Sequence, residues 1–367
     1  MQTQAAILYE RNAPVVIETL SLEDPKQNEV LVRMVTSGVC HSDLSVVNGT
    51  IPYELPLTLG HEGAGVVEKI GEGVTYVKPG DHVILSFVSY CGECFMCQKE
   101  RVCLCETFTA ARGHLLDDTP RLSNQAGAPI SQMNRIGTMA EYSVVPEQSL
   151  VKIEQRYSLQ TAALVGCGVT TGVGAVLNTA QVEPGSTVAV IGAGGVGLNV
   201  IQGAVLAGAQ RIIAVDRLAN KLELSKSFGA TDLVNASEVD PIETVIDLCE
   251  GRGADYAFEA IGLQTTIEQA YGMIRPFGMA VIVGITDAAT KVEIPSQVMT
   301  RTERRLVGSY YGSCNPRIDM PKLLNLHAEG KIKLDELISQ TYRLEQINEA
   351  FEDLEAGKNA RGILVFD

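Results

Sequence analysis

Cys91, Cys94, Cys97 and Cys105 stand in the run Cys91-Gly-Glu-Cys-Phe-Met-Cys-Gln-Lys-Glu-Arg-Val-Cys-Leu-Cys105. Two-residue gaps let successive thiolates converge from one tight loop, and the seven residues before Cys105 let the chain turn back to close a tetrahedron. Spacing of this kind builds a closed zinc site with four thiolate ligands. A disulfide knot fits poorly, because no leader-like segment opens the sequence and a chain of 367 residues has no need of staples.

A second group could hold a dinucleotide. Val188-Ala-Val-Ile191 reads as a buried strand, and Gly192-Ala-Gly194-Gly195-Val196-Gly197 follows at once, before an apolar helix. Gly192 makes the tight turn, Gly194 lets backbone approach a pyrophosphate, and Gly197 lets the helix pack on the sheet. The helix start offers free N–H groups and a positive dipole end to phosphates. Asp216, nineteen residues after Gly197 at the end of the next strand, can accept from both adenosine-ribose hydroxyls and would repel a 2′-phosphate. NAD is therefore expected over NADP. Arg217 could hold a phosphate but reads as solvent-facing.

A third group is scattered: Cys40 in Cys40-His-Ser-Asp43, His61 in Gly60-His61-Glu62, and Cys167 in Val165-Gly-Cys-Gly168. Two thiolates and one imidazole would cancel the charge of a zinc ion and leave its fourth position open for chemistry. Asp43 and Glu62 would stand beside the ligands as carboxylates that orient them, Glu62 being counted with the metal-site residues. Spacing alone leaves open the alternative of a core histidine with scattered core cysteines.

Two kinds of architecture must position these groups. The first 150 residues carry short β-like runs (Ala5–Leu8, Val30–Thr36, Gly65–Ile70, His82–Phe87, Glu141–Val145) separated by Gly/Pro turns, which predicts an irregular, antiparallel, barrel-like domain. Residues 109–135 are polar and turn-rich and read as a long surface loop leaning over a site. From Thr187 strands alternate with helices. Thr187–Ile191, Arg211–Asp216, Asp232–Val234, Ala254–Glu259, Met279–Val283 and Leu306–Ser309 predict a six-stranded, doubly wound parallel sheet. Helices are expected near 195–208, 218–228, 241–250 and 264–275, then at Met320–Ala328 and Leu344–Glu355 before a last strand, Gly362–Phe366. The composition is 46 % hydrophobic with a net charge of −15, which argues against nucleic acid or an anionic membrane as partner. No apolar stretch reaches the roughly 18 residues of a membrane helix. Nine cysteines without a leader suggest a reducing, cytoplasmic setting.

Taken together the chain resembles the zinc-dependent medium-chain alcohol dehydrogenases. Gly60-His61-Glu62-x-x-Gly65-x5-Gly71-x2-Val74 matches that family's pattern in full. Gly38-Val-Cys40-His-Ser-Asp43, the four-cysteine loop, Gly166-Cys167-Gly168-Val-Thr-Thr171-Gly and the glycine-rich turn follow in the family's order, over essentially the whole chain. The resemblance implies an α/β protein with a GroES-like catalytic domain (1–168, completed by 311–367) and a Rossmann coenzyme domain (169–310). It implies two zinc ions per chain: one on Cys40, His61 and Cys167, the other on the four clustered cysteines. Cys103, Cys249 and Cys314 are left as small core residues. It further implies that Ser42 relays the alcohol proton, that His41 and Arg361 lie near the pyrophosphate, that Thr171 touches the nicotinamide end and that Lys221 touches the adenosine ribose. The alternatives are a solvated turn residue for His41 and an ordinary helix-face lysine for Lys221. His82 and His114 are expected to be structural, and His327 to be at the surface.

Departures from the family narrow the reading. Many members carry a histidine three residues after the relay hydroxyl, where this chain has Ser45. Members that oxidise glutathione–formaldehyde adducts carry an arginine four residues after the last structural cysteine, where Thr109 stands here. Polyol dehydrogenases usually replace the third ligand cysteine by an acid. Ile51, Phe87, Ile285 and Tyr310 suggest an apolar, aromatic pocket for primary alcohols of a benzylic or allylic kind. A homodimer or homotetramer is expected. A non-catalytic NAD-binding protein on the same scaffold would have shown a lost ligand or relay hydroxyl. A zinc-free quinone reductase would lack Cys40, His61 and the cysteine loop.

Overall fold

Apolar runs of four to nine residues form six parallel strands in the order Asp232–Asn235, Arg211–Asp216, Thr187–Ile191, Ala254–Glu259, Ile274–Ile282, Arg305–Gly308. Each expected strand of this sheet is present, with ends shifted by a few residues. Helices between them bury both faces, which is why Ala189, Ile191, Ile213, Val215, Ala257 and Ala280 read as near-continuous hydrophobic strands. Strand order reverses between Thr187–Ile191 and Ala254–Glu259, the point at whose carboxyl ends ligands bind in such sheets. Local sequence agrees with the layout. Asp240 caps the helix Pro241–Leu248, accepting from the N–H groups of Ile242 at 2.8 Å and Glu243 at 3.0 Å, and proline occupies the first turn.

This computed structural model describes residues 1–109 and 113–366, with the side chain of Thr109 outside the description. Two compact units divide it: Met1–Cys167 with Asn315–Gly330 and Leu334–Asp367, and Gly168–Cys314 with Lys331–Lys333. The parallel sheet belongs to the second. The first contains a closed barrel of Gln2–Leu8, Val16–Leu22, Leu122–Ser123, Pro129–Gln132 and Leu57–Thr58. Beside it is a sheet ordered Leu150–Ile153, His82–Leu85, Gly63–Ile70, Glu29–Val39, Arg361–Val365, Ile338–Tyr342, with Tyr142–Pro146 also pairing with Glu29–Val39. The last strand of the chain thus lies antiparallel to the strand that leads into Cys40. The helix Ile347–Glu355 covers this core with Ile347, Ala350, Phe351 and Leu354.

Two expectations change. Residues 113–135 are not a surface loop: Leu122–Ser123 and Pro129–Gln132 are barrel strands, and Leu115, Arg121, Ile130 and Arg135 are buried. Part of the polarity that suggested a loop is internal, while 116–119 and 125–129 are exposed. Arg121 donates bidentately to Glu29 at 2.8 and 2.6 Å, with both side chains buried. Removing one partner strands the other charge, so Arg121→Leu should lower unfolding stability by about 3–5 kcal/mol in denaturant titration. Residues 110–112 of the same expected loop lie outside the described residues. The second change concerns apolar length. Leu159–Ala180 forms 22 continuous residues of α and π helix, long and apolar enough to cross a membrane, because its glycines do not interrupt it. Most of it is buried within the protein, as a core helix is.

Candidate metal centre and dinucleotide site

Strand Glu29–Val39 delivers Cys40 to the start of a short helix, His41–Val47, with Cys40 itself extended at the cap. Asp43 in the first turn reaches back. Its Oδ2 accepts from the Cys40 N–H at 3.1 Å, and its Oδ1 accepts from the Gly60 N–H at 3.2 Å and faces His61 Nδ1 at 3.1 Å. One buried carboxylate therefore fixes both segments and holds the imidazole with Nδ1–H towards Asp43, leaving Nε2 as the donor atom. Cys167 comes from the π turn Val165–Val169, a local widening of the helix often used at functional sites. The ligand atoms of Cys40, His61, Glu62 and Cys167 all lie within 4.8 Å of one another. Gly38 makes room for this: a Cβ there would overlap Glu62 Oε2. Phe87 closes one side, its ring edge-on to His61 at 5.7 Å between centroids.

These donors fit zinc. His61 Nε2 and Glu62 Oε1 are buried and have no hydrogen-bond partner among the described residues. Two thiolates with an imidazole are the soft, tetrahedral set zinc prefers. Electrostatics favour the ionised form of one thiol: the adjacent Cys167, then Arg361 and His61, hold Cys40 well below its ordinary value against burial. Cys40 and burial push Cys167 the other way. Burial works against charge on His61, yet Asp43 raises it well above the usual imidazole value. Burial also raises Glu62, opposed by Arg361.

Arg361 is the surprise of the centre. The resemblance places it near the pyrophosphate. In the structure its buried guanidinium is paired with Glu62 Oε2. A glutamate buried beside two thiols needs a counter-charge, and it is the strand pairing of Gly362 with Val39 that sets Arg361 beside that glutamate. Ser42 stands with its Oγ 3.8 Å from Cys40 Sγ. His41 is exposed at the first position of its helix. Ile51 packs against the core of the first unit, whereas Ile285 and Tyr310 belong to the second and are exposed.

The four clustered cysteines converge as their spacing requires, with all sulfur atoms within 4.8 Å. Thr107 Oγ1 and the N–H groups of Glu93 and Cys94 donate to Cys91 Sγ, at 3.3, 3.5 and 3.3 Å. The Thr107 hydroxyl leads these in lowering the Cys91 thiol to about 6, while burial pushes Cys97 up to about 12. Cys94→Ser opens the tetrahedron, so thermal stability should fall more than turnover per folded molecule. Normal half-life and metal content with no activity would contradict that expectation.

In the second unit Gly194 caps the twelve-residue helix Gly195–Leu206. Gly197 has to be glycine, since a Cβ there would overlap the Gly192 carbonyl oxygen. Asp216 ends its strand beside this turn, Oδ2 accepting from the Ala193 N–H at 2.8 Å and Oδ1 from the Leu218 N–H at 3.0 Å. The carboxylate keeps further lone pairs for a ligand. Lys221 is half-buried on helix Ala219–Ser227, and Thr171 lies on helix Thr170–Gly174.

Comparison with known proteins identifies the family. The family model for the alcohol dehydrogenase GroES-like domain matches residues 26–155, and that for zinc-binding dehydrogenases matches 195–329. An NDMA-dependent alcohol dehydrogenase of Amycolatopsis methanolica is 39 % identical over 100 % of this chain and 99 % of its own. The chain belongs to the zinc-dependent alcohol dehydrogenase family. An S-(hydroxymethyl)glutathione dehydrogenase of Haemophilus influenzae is 41 % identical, over 99 % of this chain and 97 % of its own. The crystal structure of benzyl alcohol dehydrogenase from Acinetobacter calcoaceticus superposes with a TM-score of 0.95 at 30 % identity, covering 100 % of both chains. As a member of this family the protein is a zinc-dependent oxidoreductase that interconverts an alcohol and its carbonyl product with a nicotinamide dinucleotide.

Proposed function

We propose that the protein oxidises primary alcohols bearing a hydrophobic or aromatic group, with NAD as hydride acceptor. Cys40, His61 and Cys167 hold the catalytic zinc, and Cys91, Cys94, Cys97 and Cys105 the structural one. The observation that carries the reading is the buried Cys40–His61–Glu62–Cys167 cluster with the unpartnered His61 Nε2 at its centre. A zinc ion there supplies Lewis acidity to the alcohol oxygen. The chain's own residues do the rest. Asp43 holds the imidazole, Ser42 takes the hydroxyl proton, and Phe87 presents an aromatic wall. Arg361 balances the charge of Glu62. The benzyl alcohol dehydrogenase likeness supports an aromatic substrate. Thr109, in place of the expected arginine, disfavours a glutathione adduct despite the relatives that use one.

A panel of benzylic, allylic, aliphatic and polyol alcohols, followed by NADH absorbance, tests this. Benzylic and allylic alcohols should lead in kcat/KM. A leading polyol or S-(hydroxymethyl)glutathione would overturn the substrate assignment.

Gly192, Gly194, Gly195, Val196 and Gly197 form the phosphate turn, Asp216 selects NAD, and Thr171, Lys221 and His41 are further coenzyme contacts. Asp216→Gly should raise KM for NAD and ease use of NADP, by about 1–3 kcal/mol of differential binding. A wild-type preference for NADP would defeat the assignment. The chain has no tryptophan, so NADH fluorescence reads this binding directly.

A further inference from the structure

Two arginines grip the cysteine lobe at its two roots. Tyr90 immediately precedes the first thiolate, and the Arg317 guanidinium lies 5.8 Å from its ring centroid and 3.7 Å from that of Tyr76. Arg317 donates to the carbonyls of Leu150 at 3.2 Å and Glu147 at 2.9 Å. Phe108 follows the last thiolate by three residues, and Arg135 lies 5.3 Å over its ring. Arg135 donates to the carbonyls of Phe108 at 2.9 Å and His114 at 3.0 Å.

Arg135 is buried and Arg317 half-buried. Among the described residues neither is in an ion pair, whereas the other two buried arginines, Arg121 and Arg361, each hold a glutamate. Carbonyl oxygens and aromatic faces satisfy the donors, and the carboxylate within electrostatic range of Arg135, that of Asp118, is exposed and screened by water, so little of the positive charge is compensated, which is costly in a buried place. The lobe itself offers the compensation. Four thiolates around a divalent ion leave two net negative charges, and two guanidinium groups stand at the roots. Arg135 is within electrostatic range of Cys105 as well as of Tyr53 and Asp118, and Tyr90 stands between Arg317 and the lobe, within range of both Arg317 and Cys97. Cys97 and Cys105 are the two buried members of the four, on the side that water screens least.

We propose that Arg135 and Arg317 are the counter-charges of the filled cysteine site, positioning residues that retain its zinc by balancing its charge. The proposal rests on the reading of Cys91, Cys94, Cys97 and Cys105 as a zinc site. The test follows transfer of zinc from the holoenzyme to a chromophoric chelator, with the phase lost in Cys94→Ser marking the structural ion. Arg135→Met and Arg317→Met should each release that ion roughly 10-fold faster, and the double variant roughly 100-fold faster, the scale of outer-sphere effects on metal affinity. Arg→Lys at either position keeps charge without the fork and should stay close to wild type. Should a methionine variant fail to fold, glutamine, which keeps N–H donors but no charge, takes its place, and it too should release zinc faster. Release at the wild-type rate in the neutral variants would overturn the proposal. So would equally fast release from the lysine variants, which would assign the effect to packing. A wild-type enzyme with no zinc phase sensitive to Cys94→Ser would instead overturn the underlying site.

Discussion

His61→Ala or Cys40→Ser should lose alcohol oxidation by more than about 10³-fold while NADH still binds with near-normal affinity. The loss follows from the donor set. Asp43 holds His61 so that Nε2 is the one atom of the ring aimed, without a partner, at Cys40 and Cys167. Alanine removes that atom, and serine replaces a thiolate with a hydroxyl that stays protonated. Lewis-acid stabilisation is worth several kcal/mol, and each about 1.4 kcal/mol is tenfold in rate. Coenzyme affinity should survive because the glycine turn and Asp216 are built within the second unit, whose sheet and core hold them independently of these ligands. Steady-state rates with a benzylic alcohol and fluorescence titration with NADH measure the two effects. Parallel loss of both would mean that the variants unfold the chain.

Ser42→Ala should lower kcat by roughly 10²-fold or more, the range for a positioned proton-transfer group. Ser42 follows Cys40 by two residues, and its hydroxyl lies close to the Cys40 sulfur. Ser45, three residues further on, lies on the same face of helix His41–Val47. The family resemblance implies a histidine at that place, ending a proton chain, where this chain has Ser45. On the proposed reading Ser42 would pass the proton on towards water or His41, with Ser45 unable to take the part of a base. Ser45→His adds a group that titrates near about 6.5 and should raise oxidation mainly around neutral pH. A deuterated alcohol distinguishes a proton-transfer effect from a step limited by hydride transfer or product release. An active Ser42→Ala enzyme with an unchanged pH profile would end the relay.

Much of this was legible in the chain because the relevant physics is local. The six parallel strands announce themselves as apolar runs buried on both faces and spaced by helices. The Cys91–Cys105 loop and the Gly192–Gly197 turn each carry their function within a few residues. What was hidden depends on residues far apart in sequence. Polarity in residues 113–135 looked like solvent exposure, because nothing local says that Arg121 will meet Glu29 inside a barrel. Arg361 was assigned to phosphate by likeness alone, and only the pairing of the last strand with Glu29–Val39 brings it to Glu62. Arg135 and Arg317 gave no signal, since their partners are backbone carbonyls and rings brought by other segments. The Cys40–His61–Cys167 set lay between these extremes: ambiguous by spacing, it is brought together in the structure with its ligand atoms within 4.8 Å of one another.

The central claim is that the buried Cys40–His61–Cys167 centre is a zinc site on which alcohol oxidation depends. Zinc removed from the protein by a chelator and then titrated back, with NAD reduction by a benzylic alcohol recorded at each addition, tests it most directly. Activity should vanish in the stripped protein and return with added zinc, reaching its full value at two ions per chain for wild type but never for Cys40→Ser. Undiminished turnover in the stripped protein, or full recovery of Cys40→Ser, would contradict the account.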